Sequence, residues 1–340
     1  MLKVLLAGLG VRGRHWAEVI KRSERAGLAA FADPSPEALA RAVAEFGERP
    51  TFASVAAALA ALDRVDALVL ANPPMGREGI VRRACARRLP MLIEKPLALN
   101  LGEAATLVRI AEAAGLSLMV GLNFRYLAVT QALLRLLAES AVGQPEFARF
   151  TYERWRDGRR PDLNDYPLVM DHPMLWEQSI HHFDLMRFVY GQEPEYIQCQ
   201  TWNPSWSMYA GDSNVAALIE FEGGLRVNYQ GTWQGSWAAP GFEWRTDCAD
   251  GIITQRDEFG ALYYARRDEA ELTPVPLPTH ERWISETTAL FAAFVEHIVD
   301  GAALQCSGRD HLMSLAMLEA CIQSSASGNG VHVHDVLPGG

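Results

Sequence analysis

Three polar residues near the middle of the chain have types and a spacing that suit acid–base chemistry. Glu177, His181 and Asp184 stand at positions i, i+4 and i+7, so on a helix they would share one face. An imidazole titrates near pH ~6.5 and exchanges a proton at physiological pH with little adjustment. A lone histidine at the edge of a core is more often structural, but two carboxylates in register favour His181 as a general base. Glu177 would then orient His181 or bind a substrate hydroxyl.

A lysine follows a short apolar stretch, residues 91–93, in the sequence Glu94-Lys95-Pro96. Proline cannot donate a ladder hydrogen bond, so we expect a strand to end here. Ligands of an open parallel sheet bind beyond the carboxyl ends of its strands, where Lys95 would then lie. Lys95 would hold a substrate oxygen and stabilise or relay its charge. It would act as a base only if burial or a positive neighbour lowered its pKa from ~10.4. The alternative is a solvated lysine at a loop entrance.

A glycine-rich turn joins the first predicted strand, residues 4–7, to the first predicted helix, residues 14–23. Gly8, Gly10 and Gly13 form a GxGxxG pattern there. The first glycine permits a tight turn, the second lets the backbone approach a pyrophosphate, and the third lets helix and strand pack closely. The N–H groups at the helix N-terminus attract phosphates. The turn therefore predicts a dinucleotide site, with contacts from Gly8, Gly10, Val11, Arg12 and Gly13.

Asp33 lies 20 residues after Gly13, at the end of the predicted strand 28–32. A carboxylate here would accept hydrogen bonds from the adenosine ribose and would repel a 2′-phosphate. No Arg or Lys follows within four residues. We therefore predict NAD rather than NADP as the cofactor. Asp33 also suits a turn into the predicted helix 36–46, and the two roles are compatible.

The first 120 residues alternate between apolar strands and helices, which indicates a parallel sheet. The predicted strand 65–70 ends at Asn72 and Pro73, in a turn that would pass under the nicotinamide. Asn72, Pro73, Glu94 and Lys95 are therefore further predicted cofactor contacts. From residue 123 the pattern changes to a helix at 126–139 and then mostly strands. These strands are predicted at residues 146–156, 196–202, 215–221, 225–230, 242–248, 251–254 and 262–266. Residues 157–170 are a polar segment that either covers a substrate pocket or forms a surface excursion.

Composition narrows the class of protein. A chain of 340 residues is long enough for two domains. The net charge of −10 argues against a nucleic-acid partner. No apolar run is long enough to span a bilayer, and no secretory cleavage site is visible after Met1. The five cysteines form no CxxC pair and no metal spacing. We expect a cytoplasmic protein with reduced thiols, no metal site and no membrane partner.

The motifs together resemble one protein family over nearly the whole chain. Their order and spacing are similar to those of the Gfo/Idh/MocA oxidoreductases, the glucose-fructose oxidoreductase and inositol dehydrogenase family. The matching segments are the glycine turn, Asp33, Asn72-Pro73-Pro74, Glu94-Lys95-Pro96 and Asn123-Phe124-Arg125. Residues 177–184 resemble the family's Asp-x-x-x-His-x-x-Asp signature, with Glu177 in place of the first aspartate.

The resemblance implies an α/β N-terminal Rossmann domain with a doubly wound parallel sheet, residues 1–122. It further implies a C-terminal α+β domain with an open, mainly antiparallel sheet, residues 123–340. Because an antiparallel sheet of this kind leaves one face to be covered, we expect a homodimer or homotetramer formed through it.

The implied activity is an NAD(P)-dependent hydride transfer between nicotinamide and a carbinol or carbonyl of a sugar, cyclitol or related polyol. The predicted catalytic residues are Lys95, His181 and Glu177, and Arg125 is a further predicted substrate contact. We expect Lys95 of one domain and His181 of the other to meet beside the nicotinamide. Two alternatives stay open: a sensor that binds NAD and a sugar without turnover, and a reductase of a non-sugar carbonyl.

Overall fold

The computed structural model of the chain describes residues 1–161 and 163–338, which form two compact units. The first unit consists of Met1–Asn123 and Glu281–Leu312. The second consists of Phe124–His280 and Met313–Gly340.

The first unit is built on a six-stranded parallel sheet with the order β3-β2-β1-β4-β5-β6. Its strands are β1 Leu2–Ala7, β2 Ala26–Ala32, β3 Thr51–Phe52, β4 Ala67–Leu70, β5 Met91–Ile93 and β6 Leu118–Val120. Its first helices are α1 Val11–Arg22, α2 Pro36–Phe46, α3 Val55–Ala61, α4 Glu78–Ala86 and α5 Leu101–Ala113. The chain runs from β1 to one edge and then from β4 to the other, which confirms the doubly wound Rossmann sheet.

The middle strands of this sheet are apolar along their length. Every residue of β4 and β5 is buried, as are the last four residues of β1. Continuous burial of this kind is typical of parallel strands covered on both faces. Helix starts are set by local chemistry: the Ser35 hydroxyl accepts a hydrogen bond from the Ala38 N–H, and Pro36 opens α2.

The second unit is built on a nine-stranded sheet with the order β14-β13-β12-β11-β7-β10-β9-β8-β15. Its strands are β7 Pro145–Glu153, β8 Pro194–Trp202, β9 Asn214–Phe221, β10 Arg226–Thr232, β11 Gly241–Cys248, β12 Gly251–Asp257, β13 Gly260–Arg266, β14 Thr273–Pro274 and β15 Val331–His332. Strands β7 and β10 run parallel, and all other neighbouring pairs run antiparallel. The predicted open, mainly antiparallel sheet is confirmed.

The helices of the second unit start from the segment after residue 123. A 3₁₀ turn, Asn123–Tyr126, precedes α6 Ala128–Ala138, where the sequence predicted one helix over 126–139. A 3₁₀ turn at Tyr166–Val169 and a π-helical turn at Leu175–Ser179 precede α7 Ile180–Tyr190. Two long α-helices follow the large sheet in the chain: α8 Ser285–Asp300, which belongs to the first unit, and α9 Gly308–Ser327.

The large sheet has one buried and one polar face. Phe150 of β7 and Trp244 of β11 are buried, on the face that residues of α7 contact. The opposite face carries ion pairs such as Arg149–Glu243. Because residues of β7 on this polar face are exposed, it is the face to which the oligomer prediction refers.

The returning helix α8 belongs to the first unit. Its Phe291 ring packs edge-on against Trp16 of α1, at 6.3 Å between ring centroids, and its Asp300 pairs with Arg25 at 2.7 Å. The predicted domains 1–122 and 123–340 differ from the compact units in this segment. The difference arises because an amphipathic helix records which of its faces is apolar, but not which distant surface covers that face.

Candidate functional site

The glycine turn packs closely against neighbouring backbone at Gly8 and Gly13, whereas the space next to Gly10 is open. Gly8 has φ +84°, and a Cβ there would stand 2.5 Å from the Asn72 nitrogen. A Cβ at Gly13 would stand 1.9 Å from the Gly8 carbonyl oxygen. Among the residues that the structure describes, no atom outside Gly10, its chain neighbours and the adjoining helix backbone lies within 4 Å of a Cβ built on Gly10. The first and third glycines therefore permit close packing, and the second leaves room for a ligand.

Helix α1 begins inside this turn. Its first residue is Val11, three residues earlier than predicted, and its N-cap Gly10 makes no side-chain capping bond. The N–H groups of the first turn of a helix have no intrahelical acceptor, so an uncapped start attracts anions. This geometry suits a pyrophosphate.

Asp33 connects the glycine turn to the start of α2. Its Oδ2 accepts a hydrogen bond from the Leu9 N–H at 2.7 Å, and its Oδ1 accepts one from the Ser35 N–H at 2.8 Å. The N-cap of α2 is Ser35, so Asp33 forms the turn before the cap. The carboxylate is half-buried at the carboxyl end of β2. Its contact with the ribose remains a prediction.

Glu94, predicted as a cofactor contact, joins the end of β5 to α1. Its buried carboxylate accepts hydrogen bonds from Arg12 Nε at 2.9 Å and from Trp16 Nε1 at 2.8 Å. Charge-assisted bonds of this kind are strong where water is excluded. The backbone next to Lys95 is thereby fastened to the glycine turn. Lys95 itself is half-buried and precedes a cis peptide bond to Pro96.

Arg77 is a residue of this site that the sequence analysis missed. Its buried Nη1 donates to the Glu94 carbonyl at 2.7 Å and to the Pro96 carbonyl at 2.6 Å. Its Nη2 donates to the Asn72 carbonyl at 2.5 Å. One guanidinium thus holds the turns after β4 and β5 together. No motif marks Arg77, because its partners are backbone carbonyls brought near it by the sheet.

The residues of the first unit fit a dinucleotide. The Asn72 Oδ1 is buried and has no hydrogen-bond partner among the residues that the structure describes. A buried acceptor is costly unless a donor reaches it, so a ligand amide would suit this position. The open space at Gly10 and the uncapped start of α1 suit its phosphates. Contacts with a cofactor remain predictions for Gly8, Gly10, Val11, Arg12, Gly13, Asn72, Pro73, Glu94 and Lys95.

The predicted acid–base residues of the second unit lie on two kinds of helix. A π-helical turn, Leu175–Ser179, carries Glu177, whereas His181 and Asp184 are on α7. A π turn has i→i+5 hydrogen bonds, so its side chains depart from the i, i+4 register that the sequence predicted. Turns of this type are frequent at functional sites.

Glu177 and His181 have different neighbours. The Glu177 Oε1 accepts a hydrogen bond from the Tyr166 hydroxyl at 2.6 Å. The His181 ring is buried and stacks on Phe124, at 4.3 Å between centroids and 19° between planes. Tyr166 comes from the polar segment 157–170, the one signal in the sequence that pointed towards it. The stacking fixes the plane of the imidazole. The predicted role of His181 as general base remains a prediction.

Asp184, three residues after His181 on α7, forms a buried ion pair with Arg125. They are 2% and 5% exposed, and Arg125 donates through Nε at 2.7 Å and Nη2 at 2.6 Å. The Ser314 hydroxyl donates to Asp184 at 3.1 Å and accepts from Arg187 at 2.8 Å. Arg125 was predicted to bind substrate. Two of its donor groups are engaged by Asp184, and the substrate role remains a prediction.

His182, the residue after His181 on α7, lies in the core of the second unit. Its ring packs on Phe150 and Tyr152, with Nδ1 2.9 Å from the Tyr229 hydroxyl and Nε2 3.0 Å from the Gln178 amide nitrogen. Burial, with a smaller contribution from Arg154, lowers the pKa of His182 to about 3. The folded protein therefore holds this imidazole neutral.

The lowered pKa of His182 predicts a loss of stability in acid. Below pH ~6.5 the unfolded chain protonates this histidine, whereas the folded chain does so only near pH 3, so the unfolded state gains protons and the free energy of unfolding falls. We expect a loss of about 2 kcal/mol between neutral pH and pH ~5 from this group. Urea unfolding at several pH values measures it. His182→Gln should flatten the dependence and the surface variant His334→Gln should retain it; identical pH dependence in all three proteins would contradict the prediction.

Among residues 1–161 and 163–338, none of the helices combines the length and the apolar character needed to cross a bilayer. No group of three or more His, Cys, Asp or Glu side chains there is arranged to hold a metal ion.

Comparisons with known proteins agree with both units. Residues 2–122 match the family model described as oxidoreductase family, NAD-binding Rossmann fold, and residues 130–253 match the GFO/IDH/MocA C-terminal domain. A D-apiose dehydrogenase of Rhizobium rhizogenes is 24% identical over 359 residues, with 99% of each chain covered. An inositol 2-dehydrogenase of Rhizobium meliloti is 23% identical over 332 residues, with 94% of this chain and 96% of that protein covered.

A solved structure shares the fold over the full length. It is an oxidoreductase from Agrobacterium radiobacter in complex with NAD+, L-tartaric acid and magnesium. Its TM-score is 0.89 at 23% identity, and 99% of each chain is covered. From the two family models, which together match most of the chain, and these full-length relatives, it follows that this protein is an enzyme, an NAD-binding oxidoreductase that belongs to the GFO/IDH/MocA family.

Proposed function

We propose that the protein is an NAD-dependent dehydrogenase of a CH–OH group in a sugar, cyclitol or related polyol. The observation that carries the proposal is the fastening of the Lys95 turn to the glycine turn through Glu94 and Arg12. This contact joins the residue before Lys95 to the turn that is proposed to bind the dinucleotide. The relatives named D-apiose dehydrogenase and inositol 2-dehydrogenase support a polyhydroxylated substrate.

The proposed chemistry divides between the cofactor and the side chains. NAD, when bound, supplies the hydride acceptor or donor. In oxidation Lys95 binds the substrate oxygen and stabilises its developing charge, and His181 takes the hydroxyl proton as general base. Glu177, held by Tyr166, binds a neighbouring substrate hydroxyl. The ion pair of Arg125 and Asp184 supports the helix that carries His181.

The test is a spectrophotometric screen at 340 nm. Purified protein is given NAD+ with a panel of sugars and cyclitols, and in a second arm NADH with ketoses and with non-sugar carbonyl compounds. We expect NADH to form with at least one polyol. Turnover of a non-sugar carbonyl alone would favour the reductase alternative. Calorimetric binding of NAD+ and a sugar without turnover in either arm would favour a sensor.

Tyr166 is expected to contribute to substrate affinity through Glu177. Tyr166→Phe removes a hydrogen bond to a charged group, so kcat/KM for the identified polyol should fall about tenfold or more while NAD affinity stays unchanged. Steady-state kinetics measures the change, and Tyr196→Phe in β8 is the matched control. In a Glu177→Ala background the tyrosine substitution should have little further effect on kcat/KM. An undiminished effect there would show that Tyr166 does not act through Glu177.

Asp33 is expected to select NAD over NADP. Asp33→Asn keeps an acceptor for the turn but removes the charge that repels a 2′-phosphate, so the ratio of kcat/KM for NAD to that for NADP should fall about tenfold or more. Kinetics with both cofactors measures the ratio. Asp63→Asn, on the surface of the same unit, is the control. An unchanged ratio in the Asp33 variant would remove this assignment.

We also propose a homodimer or homotetramer that forms through the polar face of the large sheet. Phe147 of β7 lies two residues before the ion-paired Arg149, on the same face of the strand, and is 55% exposed. A large exposed aromatic on an open sheet face is typical of an interface. Light scattering on the purified protein measures the assembly, and a monomer at micromolar concentration would contradict the proposal.

A further inference from the structure

A strained tryptophan stands at the start of the returning segment of the first unit. Trp283 has φ +69°, in the left-handed region that bulky residues rarely adopt. Such a conformation persists only where the surrounding structure holds it, and it is concentrated at ligand sites. The connection between β14 and α8 does not by itself explain why a tryptophan occupies this strained position.

The backbone on both sides of Trp283 is fastened. The Glu281 carboxylate pairs with Arg22 of α1, at 2.7 Å and 3.3 Å to the two Nη atoms. The Glu281 N–H donates to the Ser285 hydroxyl at 2.9 Å, and α8 begins at Ser285. The tryptophan is thus held in place from either end against α1.

The indole faces the second turn of α1. Its ring is parallel to the imidazole of His15, with 3° between the planes and 6.4 Å between the centroids. The His15 Nδ1 lies 3.4 Å from Nη1 of Arg12, the residue before the third glycine of the GxGxxG turn. Trp283, His15 and Arg12 therefore form a continuous row that ends at the glycine turn. Trp283 and His15 are both half-buried, so each keeps surface accessible.

His15 contributes a neutral ring to this row. Burial, followed by the positive charge of Arg12, lowers the pKa of His15 to about 4. The imidazole is therefore uncharged near neutral pH, and the surface it shares with the indole is apolar and aromatic. A surface of this kind binds by stacking and by excluding water, whereas the backbone N–H groups of α1 bind phosphates.

We propose that Trp283 and His15 form an aromatic wall of the dinucleotide site and that Trp283 contacts the bound cofactor. The inference rests on the NAD-binding assignment and assigns a cofactor contact that lies more than 150 residues beyond the Rossmann segment 2–122.

The experiment measures binding and needs no substrate. The Kd of NAD+ is determined by calorimetry for the wild type, Trp283→Ala, Trp283→Phe and Trp237→Ala, the last a 75%-exposed tryptophan of the second unit. Loss of an aromatic stacking surface typically costs about tenfold in affinity, so Trp283→Ala should bind NAD+ about tenfold more weakly. Trp283→Phe should bind within about threefold of the wild type, and Trp237→Ala should be unchanged. Wild-type affinity in Trp283→Ala would overturn the proposal.

Fluorescence provides an independent readout. Bound NADH accepts excitation energy from nearby tryptophans, so tryptophan emission falls as NADH binds. Trp283→Phe should lose part of this quenching at saturating NADH, and Trp237→Phe should lose less. Equal quenching amplitude in Trp283→Phe and the wild type would overturn the proposal even if Trp283→Ala failed to fold. A wild type that binds NAD+ but oxidises no polyol would leave the aromatic wall standing and remove only the proposed dehydrogenase function.

Discussion

Lys95→Ala and His181→Ala should each abolish turnover while leaving NAD binding close to that of the wild type. Loss of a general base costs roughly 10²- to 10⁴-fold in rate, and loss of a group that stabilises a developing oxyanion costs roughly 10²- to 10³-fold. The turn around Lys95 is held by backbone carbonyls that accept from Arg77, and none of these bonds uses the lysine side chain. The cofactor turn should therefore survive the Lys95 substitution.

Kinetics on the polyol found in the screen, together with calorimetry for NAD+, measures both consequences. A decrease in kcat of about 10³-fold at constant Kd for NAD+ is expected in each variant. Lys21→Ala on α1 is the matched control for loss of a positive charge, and His332→Ala in β15 is the control for loss of an imidazole. His181→Ala should also lose the limb of the pH–rate profile that reports the general base. Near-normal turnover in both variants would remove the mechanism.

Arg125→Ala and Asp184→Ala should have the largest effects on stability. Both charges are almost fully buried, and removing one partner leaves the other desolvated without its counter-charge, at a cost of about 3–5 kcal/mol. Loss of Asp184 also removes an acceptor from Ser314, which in turn contacts Arg187. The destabilisation caused by Asp184→Ala should therefore extend beyond the ion pair to the contacts of α9.

Urea unfolding of the single and double variants measures this coupling. The double variant Arg125→Ala with Asp184→Ala should be less destabilised than the sum of the two single variants, because it leaves no buried charge without its counter-charge. Arg226→Ala is the control, because it breaks an exposed ion pair with Glu220 in the large sheet. It should lower the free energy of unfolding by less than about 1 kcal/mol. A cost below about 1 kcal/mol for Asp184→Ala would mean that the pair is solvated in solution.

Much of the first unit was predictable because its signals are local. The GxGxxG turn, the acidic residue at the end of β2 and the stop of β5 before Lys95 depend on residues within a few positions of one another. The backbone geometry of the turn requires glycine at such positions, because a Cβ at Gly13 would collide with the Gly8 carbonyl oxygen. The alternation of strands and helices then indicates a parallel sheet, and the apolar content of β4 and β5 places them at its centre.

The amino-acid order by itself thus determined the family, both sheet types and the positions of the candidate catalytic side chains. Only the tertiary structure decided which distant groups contact one another around these side chains. Arg77 donates to four backbone carbonyls in two separate turns. Tyr166 contacts Glu177, eleven residues later in the chain and in a π-helical turn, and α8 packs on α1 from the far end of the chain. Periodicity reports how much of a face is apolar, whereas partners depend on the packing of distant surfaces, which no local pattern encodes.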